Sequence, residues 1–509
     1  MQGKLLHSGL QLWLGRCKAA RWRNLGFQTG LISRLSEAKG GGRATFRAVD
    51  MAVQTAGTAQ TAGTAARQAK FVEGSLLRHV AVMSLTSSVG LMAIFGVDLI
   101  NMIYISWLGD PAKTAAAGYA GAVLFFTTSF GIGLAIAVSA LVAQAVGQRD
   151  LARARARATS GMALGIASGT LFAAAVWVFL PQIGRLLGAQ GETLTQTVMF
   201  LRWYTPSQPL LMIGIIGGAI LRAHGDARRS MMVTVWGAVA LAAVDPVLIL
   251  WADLGLQGAA LAGGISRLVI AFFALYPILK YHGGFDPIRW ADLRPDVRPL
   301  VTIAGPAILT QLATPVGQGF VTRLVAGHGE AAVAGMAIAG RLTPVAFGVI
   351  FAMSGAIGPI IGQNFGAGRM DRVRGAFRES ILFTACVIVV MSVLLFALRA
   401  PIATLFHAEG LTRDLIYLFC GPLSLFFFFN GLIFVANATC NNLGAAYQST
   451  LVNWGRHTIG TVPLAWGLSH YWGAQGVLIG QALGGVIFGI LGIWLAYRII
   501  LATPARGLS

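Results

Sequence analysis

Twelve stretches of about twenty or more mostly apolar residues, separated by short polar breaks, constrain this chain more than any other feature. They run approximately over 81–107, 114–143, 159–180, 197–221, 231–251, 256–279, 299–325, 331–362, 380–398, 413–440, 448–468 and 474–497. A bilayer core about 30 Å thick is crossed by about 20 residues of α-helix, because only a helix satisfies its own backbone polar groups in oil. With 56% hydrophobic and 11% charged residues, the chain lacks the polar side chains to cover a water-soluble surface. The expected fold is an all-α membrane protein of twelve transmembrane helices.

The net charge of +20 would suggest nucleic acid in a soluble protein, but here the arginines sit in short loops. One alternating set of loops carries Arg149, Arg153, Arg155 and Arg157, then Arg222, Arg228 and Arg229, then Lys280, Arg289, Arg294 and Arg298, then Arg369, Arg372, Arg374 and Arg378. The opposite set holds fewer cations and includes Asp110, Glu192, Asp253, Glu330 and Glu409. The positive-inside bias therefore predicts a multi-pass protein of the bacterial inner membrane with both termini cytoplasmic, and no nucleic-acid partner. Cys17, Cys386, Cys420 and Cys440 show no CxxC spacing and no pairing with histidine, so they predict small buried apolar residues and no metal site. Residues 1–72 form a basic, low-complexity leader ending near TAGTAQTAGTAA at 55–66, expected to be disordered, with Met51 a second possible start.

The chain repeats itself. AQAVGQRDLARAR at 143–155 echoes GQNFGAGRMDRVR at 362–374, so that Gly147 and Gly366 stand 219 residues apart. Trp236-Gly237 and Trp454-Gly455 are 218 apart, GLQG at 255–258 and GAQG at 473–476 are 218 apart, and Pro246 and Pro463 are 217 apart. Matches in order at nearly constant offset predict a duplicated six-span unit. The expected domains are an N-terminal lobe at 73–283, a cytoplasmic linker at 284–298, a C-terminal lobe at 299–498 and a tail at 499–509. Because six is even, the lobes share one orientation and are related by a pseudo-two-fold axis along the membrane normal, with a cleft between them that can open to either side in turn.

These motifs, with LRAHGDARRSMM at 221–232, VDPVLI at 244–249 and Gly305-Pro306, resemble the multidrug and toxic compound extrusion (MATE) family of the multidrug/oligosaccharidyl-lipid/polysaccharide exporter superfamily. The resemblance spans about residues 73–498. It implies a V-shaped cavity between two six-helix bundles and export of cationic, lipophilic compounds in exchange for protons or sodium ions. Three departures stand out. The family's first span usually carries Asn-x-x-Asp, whereas this chain reads Asp98-Leu99-Ile100-Asn101. Its early proline is replaced by Ser84-Leu85-Thr86-Ser87-Ser88. The acids used by sodium-coupled members in spans 7 and 10 have no counterparts, since span 7 offers Gln311 and Gln318 and span 10 offers Asn430 and Asn437. That pattern favours protons.

Of eighteen acids, Asp98 and Asp245 alone lie well inside expected spans. An ionised side chain at bilayer depth costs several kcal/mol unless it is paired, hydrated or neutralised, so it is a functional candidate by default. Asp98 and Asn101 are three residues apart and share a helix face. Asp245 precedes Pro246, whose ring frees the carbonyl of Ala242 in the preceding turn. These three residues are the expected ion-coupling and substrate-binding site, with cation drug and proton competing for the two acids. Arg267, Gln311, Gln318, Arg341, Asn437 and His457 are the secondary cavity candidates. Gln144 and Gln363, also 219 apart, are expected to bond helix to helix near the cytoplasmic ends. The aromatic run Phe426–Phe429 covers every face of a helix, so only some of its rings can line a cavity. No Walker A, HExxH or GxSxG motif is present, and two acids in one half do not assemble a catalytic set. The expectation is a monomeric antiporter, not an enzyme, without cofactor or bound metal. Its partners are a small organic molecule, protons and the lipid bilayer; sodium coupling and lipid-linked oligosaccharide flipping are the alternatives.

Overall fold

The computed structural model describes residues 69–107, 111–288 and 290–504. Among these there is no strand; the chain is a succession of long helices. They are α1 (Leu76–Trp107), α2 (Pro111–Gly147), α3 (Leu151–Val178), α4 (Gly191–Ala223), α5 (Ala227–Trp251), α6 (Gly255–Tyr281), α7 (Trp290–Ala326), α8 (Glu330–Gly366), α9 (Met370–Leu405) and α10 (Gly410–Asn442). The last helical stretch, Ala446–Ala502, is 57 residues long and is broken at Trp472 (φ −125°) and Gly473 (φ 55°). It therefore holds two spans, α11 (446–471) and α12 (474–502), and the total among the described residues is twelve.

The hairpin between α11 and α12 shows what the repeated GxQG sequence does. A Cβ on Gly476 would lie 2.1 Å from the carbonyl oxygen of Leu468. The corresponding Gly258 stands in the same relation to Leu248, at 2.4 Å, where α5 turns into α6. At both places two antiparallel backbones touch, and only a residue without a side chain fits. The sequence repeat is thus a repeat of contacts.

Helices α1–α6 and α7–α12 form two bundles. They meet along a seam in which α1 packs on α8 and α2 packs on α7 and α8; Met92 of α1 lies over Gly348 of α8. Away from the seam the helices present bare hydrocarbon: on α9, Leu382, Val389, Val390, Val393 and Phe396 are all exposed. Burying none of them in protein is tolerable only against lipid. Cys386, on the same helix, is likewise exposed, while Cys420 and Cys440 are buried and unpaired. The apolar exterior explains the difference, since a thiol facing lipid meets no polar cost.

Two boundaries differ from expectation. The leader expected at 1–72 lies mostly outside the described residues, but its end is part of the fold: Lys70–Val72 form a helical turn, and Phe71 is 3% exposed. The linker expected at 284–298 is shorter, because α7 starts at Trp290 and runs through Pro295 and Pro299, which lie inside the helix. What remains of it is fastened to α3, with Asp286 paired to Arg155 at 2.8 Å and its backbone N–H bonded to Thr159.

Candidate functional site

The two lobes close against each other at the arginine-rich end. A Cβ on Gly147 would stand 2.0 Å from the carbonyl oxygen of Gln363, and one on Gly366 would stand 2.0 Å from that of Gln144. Beside this backbone crossing, Gln144 Nε2 donates to the carbonyl of Asn442 at 2.9 Å, and Gln363 Nε2 donates to the carbonyl of Ala223 at 2.7 Å. Each glutamine thus reaches across the seam to cap the fourth helix of the opposite lobe, satisfying an end carbonyl the helix itself cannot. The expected helix-to-helix role of both glutamines is met. Residues 69–74 lie over the joint: the Phe71 N–H donates to Gln363 Oε1 at 3.1 Å, and Arg372 donates to the carbonyls of Phe71 and Gly74.

A titratable cluster flanks this end. His224 stacks near His282, ring centroids 4.6 Å apart, and Asp226 accepts hydrogen bonds from His282 and Arg229. Burial, aided by the neighbouring His282, lowers the His224 pKa to about 4 from an ordinary 6.5. Burial pushes Asp226 upward, but the bonds from His282 and Arg229 outweigh it and hold the carboxyl well below its usual range. Between pH 7 and pH 5 the unfolded chain takes up a proton at His224 that the folded chain refuses, so stability falls with acidification, by about 2 kcal/mol; Asp226 stays ionised in both states and adds nothing there. Thermal unfolding at the two pH values should show this loss, and His224→Gln should flatten it.

Between the lobes lies a cavity of about 750 Å³. Its lining runs from Arg222, Asn441 and Asn442, beside the closed end, to Phe125, Gln318 and Met336 farther along the seam. Thr314, Gln318 and Ser354 in its wall are exposed, so it opens away from the arginine-rich end. Gln311, Gln318, Asn437 and His457 all line it. Asn453 Nδ2 donates to Asn437 Oδ1 at 3.0 Å and Gln481 Nε2 to Gln318 Oε1 at 3.0 Å, a polar ladder of neutral amides. Of the aromatic run, Phe426 and Phe427 face the cavity, Phe427 stacked on Phe347 at 4.2 Å, while Phe429 packs on Gly489 of α12.

Two expected cavity arginines lie elsewhere. Arg267 is buried inside the N-terminal lobe, donating to Ser207 Oγ at 2.7 Å and lying 4.1 Å over the Tyr204 ring, contacts that already occupy its charge. Arg341 is exposed and absent from the cavity lining, although its neighbours Gly340 and Thr343 belong to it. Conversely, Arg222 and Arg456 do line the cavity. In the sequence Arg222 stands among the loop cations, and Arg456 lies within a span as a residue expected to form a salt bridge or snorkel to the interface.

The acids occupy a separate place. Asp245 is 0% exposed within α5, next to Pro246 and the π-helical turn Val247–Trp251 with which the helix ends. Its Oδ2 accepts a 2.7 Å hydrogen bond from Asn101 Nδ2 of α1, and its buried Oδ1 has no hydrogen-bond partner among the described residues. Asp98, one turn before Asn101 on the same helix, is exposed. Neither acid is among the residues lining the central cavity. The expected direct competition of substrate and proton at Asp98 and Asp245 is therefore not what the geometry favours. Asn101 and Asp245 are instead joined as a bond between α1 and α5 within one lobe.

Comparison with known proteins agrees with this architecture. The MatE family model matches residues 87–247 and again 306–466, two copies whose starts are 219 residues apart, the offset of the internal repeat. The chain is 28% identical over 433 residues to a protein of Shewanella oneidensis named FAD transporter, covering 82% of this chain and 93% of that one. It is 24% identical to the Staphylococcus aureus multidrug export protein MepA, covering 64% and 73% of the two chains. Among solved structures, the Vibrio cholerae MATE transporter VcmN superposes with a TM-score of 0.79 at 24% identity, covering 84% of this chain and 97% of that one. A structure from Pyrococcus furiosus described as a MOP superfamily transporter gives 0.79 at 22% identity, covering 86% and 98%. With the family model matched twice over more than half its length, the chain belongs to the MatE family and is a multi-pass membrane transporter of small molecules, not an enzyme.

Proposed function

We propose that this transporter exports small organic molecules from the cytoplasm in exchange for protons, with Asp245, Asn101 and Asp98 as the coupling site and the central cavity as the substrate site. The observation that carries the reading is the Asp245–Asn101 bond, with the second carboxylate oxygen buried and unpartnered among the described residues. An ionised carboxylate accepts from Asn101 with one oxygen and leaves the other without compensation; a proton on that oxygen removes the cost. Protonation also weakens the bond that ties α1 to α5, because a neutral acceptor binds an amide less strongly than a charged one. Helix α1 rests on α8 of the opposite lobe, so a change at the α1–α5 contact alters the seam on which alternating access depends. Coupling on this account is indirect, through a helix.

By the positive-inside bias the arginine-rich end is cytoplasmic, which makes the described state outward-facing. Related proteins named FAD transporter and multidrug export protein are consistent with export of organic solutes of differing charge. Among the described residues no Asp or Glu lines the cavity, which speaks against the cationic, lipophilic substrates that the family resemblance suggests.

Everted membrane vesicles test the coupling. An imposed pH gradient, acid inside, should drive uptake of a transported solute with sodium absent, and an imposed sodium gradient at uniform pH should not. Uptake that follows sodium alone would overturn proton exchange.

A further inference from the structure

We infer that the central cavity binds an anionic aromatic molecule, one presenting a flat ring system together with a phosphate or carboxylate group. The inference rests on the reading of this cavity as the substrate site. Among the described residues two guanidinium groups line it, Arg222 from the N-terminal lobe and Arg456 from the C-terminal lobe, and no lining residue is acidic. Guanidinium stays charged under all ordinary conditions. Among the described residues Arg222 makes one hydrogen bond, to Ser230 Oγ at 2.9 Å, and neither its Nε nor that of Arg456 has a partner. Among the described residues neither forms an ion pair. Charged donors left unfilled at the wall of a cavity open to solutes are a receptor for an anion, since such donors are costly to leave unpaired and phosphate or carboxylate matches their forked geometry.

Two further features fix the rest of the ligand. Phe351, Phe427 and Phe434 form a connected aromatic wall, with centroids 5.8 Å and 5.6 Å apart, suited to a flat ring. Asn441 and Asn442 line the same end of the cavity as Arg222 and add neutral amide groups beside it.

The test uses the full chain in lipid nanodiscs and three planar tricyclic probes: riboflavin, which is neutral, riboflavin 5′-phosphate, which is anionic, and ethidium, which is cationic. Equilibrium binding read by fluorescence should rank the phosphate about tenfold tighter than riboflavin, with ethidium weakest, as expected for partly screened charges at a few ångströms. Arg222→Gln combined with Arg456→Gln should bring the phosphate to within about twofold of riboflavin, whereas the double Lys variant should keep most of the preference, which separates charge from folding. Arg341→Gln, off the cavity, should change nothing. Ethidium binding as tightly as the phosphate, or an unchanged ratio in the double Gln variant, would overturn the inference. Displacement of the flavin by farnesyl phosphate as effectively as by unlabelled riboflavin 5′-phosphate would place the ligand among lipid phosphates and sink the aromatic requirement. Binding is measured without any gradient, so its failure and a failure of proton-driven export are independent results.

Discussion

Asp245→Asn should reduce pH-gradient-driven export by about 100-fold while leaving the protein folded. The replacement is isosteric, and its side-chain oxygen can still accept the Asn101 hydrogen bond observed at 2.7 Å. What it loses is the ability to alternate between a charged and a neutral state. Removing a buried charge whose Oδ1 has no partner should leave thermal stability unchanged or raise it by about 1 kcal/mol, since an unpaired buried charge stabilises nothing. Loss of export together with loss of stability would point to a structural role; loss of export alone is the expected signature of coupling. A fall of 100-fold corresponds to about 2.7 kcal/mol, within what separates a two-state element that can be biased from one that cannot.

Gly147→Val should have an effect of similar size by a different route. Its Cβ would fall 2.0 Å from the backbone oxygen of Gln363, and backbone cannot swing aside as a side chain can. The closed joint at the arginine-rich end must then open or distort, at a cost of about 3 kcal/mol. That shifts the balance between closed and open states at this end roughly 100-fold. In a chain cleared of native cysteines, a reporter thiol placed at Ser354 in the cavity wall reads the change. It should react with a membrane-impermeant reagent only from the outer side in the parent chain, and from both sides, or from the arginine-rich side, once Gly147 is Val. Gly366→Val should behave alike, because Gly366 makes the reciprocal contact with Gln144. Reaction from the outer side only, in both variants, would mean that the joint does not close the pathway.

The fold could be read from the sequence because its determinants are one-dimensional. A helix crossing oil needs a fixed run of apolar residues, and duplication leaves its offset in the chain; both survive without any knowledge of side-chain direction. The one break that hydropathy marks weakly, Trp472-Gly473, was still legible through its likeness to the turn at Gly255. Asp245 was legible for a related reason, since a charge in an apolar run has few innocent explanations.

Which residues face the cavity was not legible. Spans that are apolar all round carry no amphipathic stripe from which to take the helix phase. Arg267 and Arg341 therefore looked as eligible as any other arginine, yet one is spent on Tyr204 and Ser207 and the other faces outward. Arg222 was hidden in another way. It precedes Arg228 and Arg229 in a basic run, but α4 continues to Ala223, so Arg222 remains on the helix and turns into the cavity instead of joining the loop. The same limit affected Asp98 and Asp245: residue type marked them as functional, whereas their separation from the cavity depends on packing that only the structure supplies.

Counterflow of protons and solute through one purified protein tests the central claim most directly. In proteoliposomes carrying a trapped pH-sensitive dye, an outward gradient of a transported solute, with no sodium present, should draw protons inward in the parent chain. In Asp245→Asn, solute leaving down its own gradient should carry no proton movement with it. Equal proton flux in the two proteins would contradict the account.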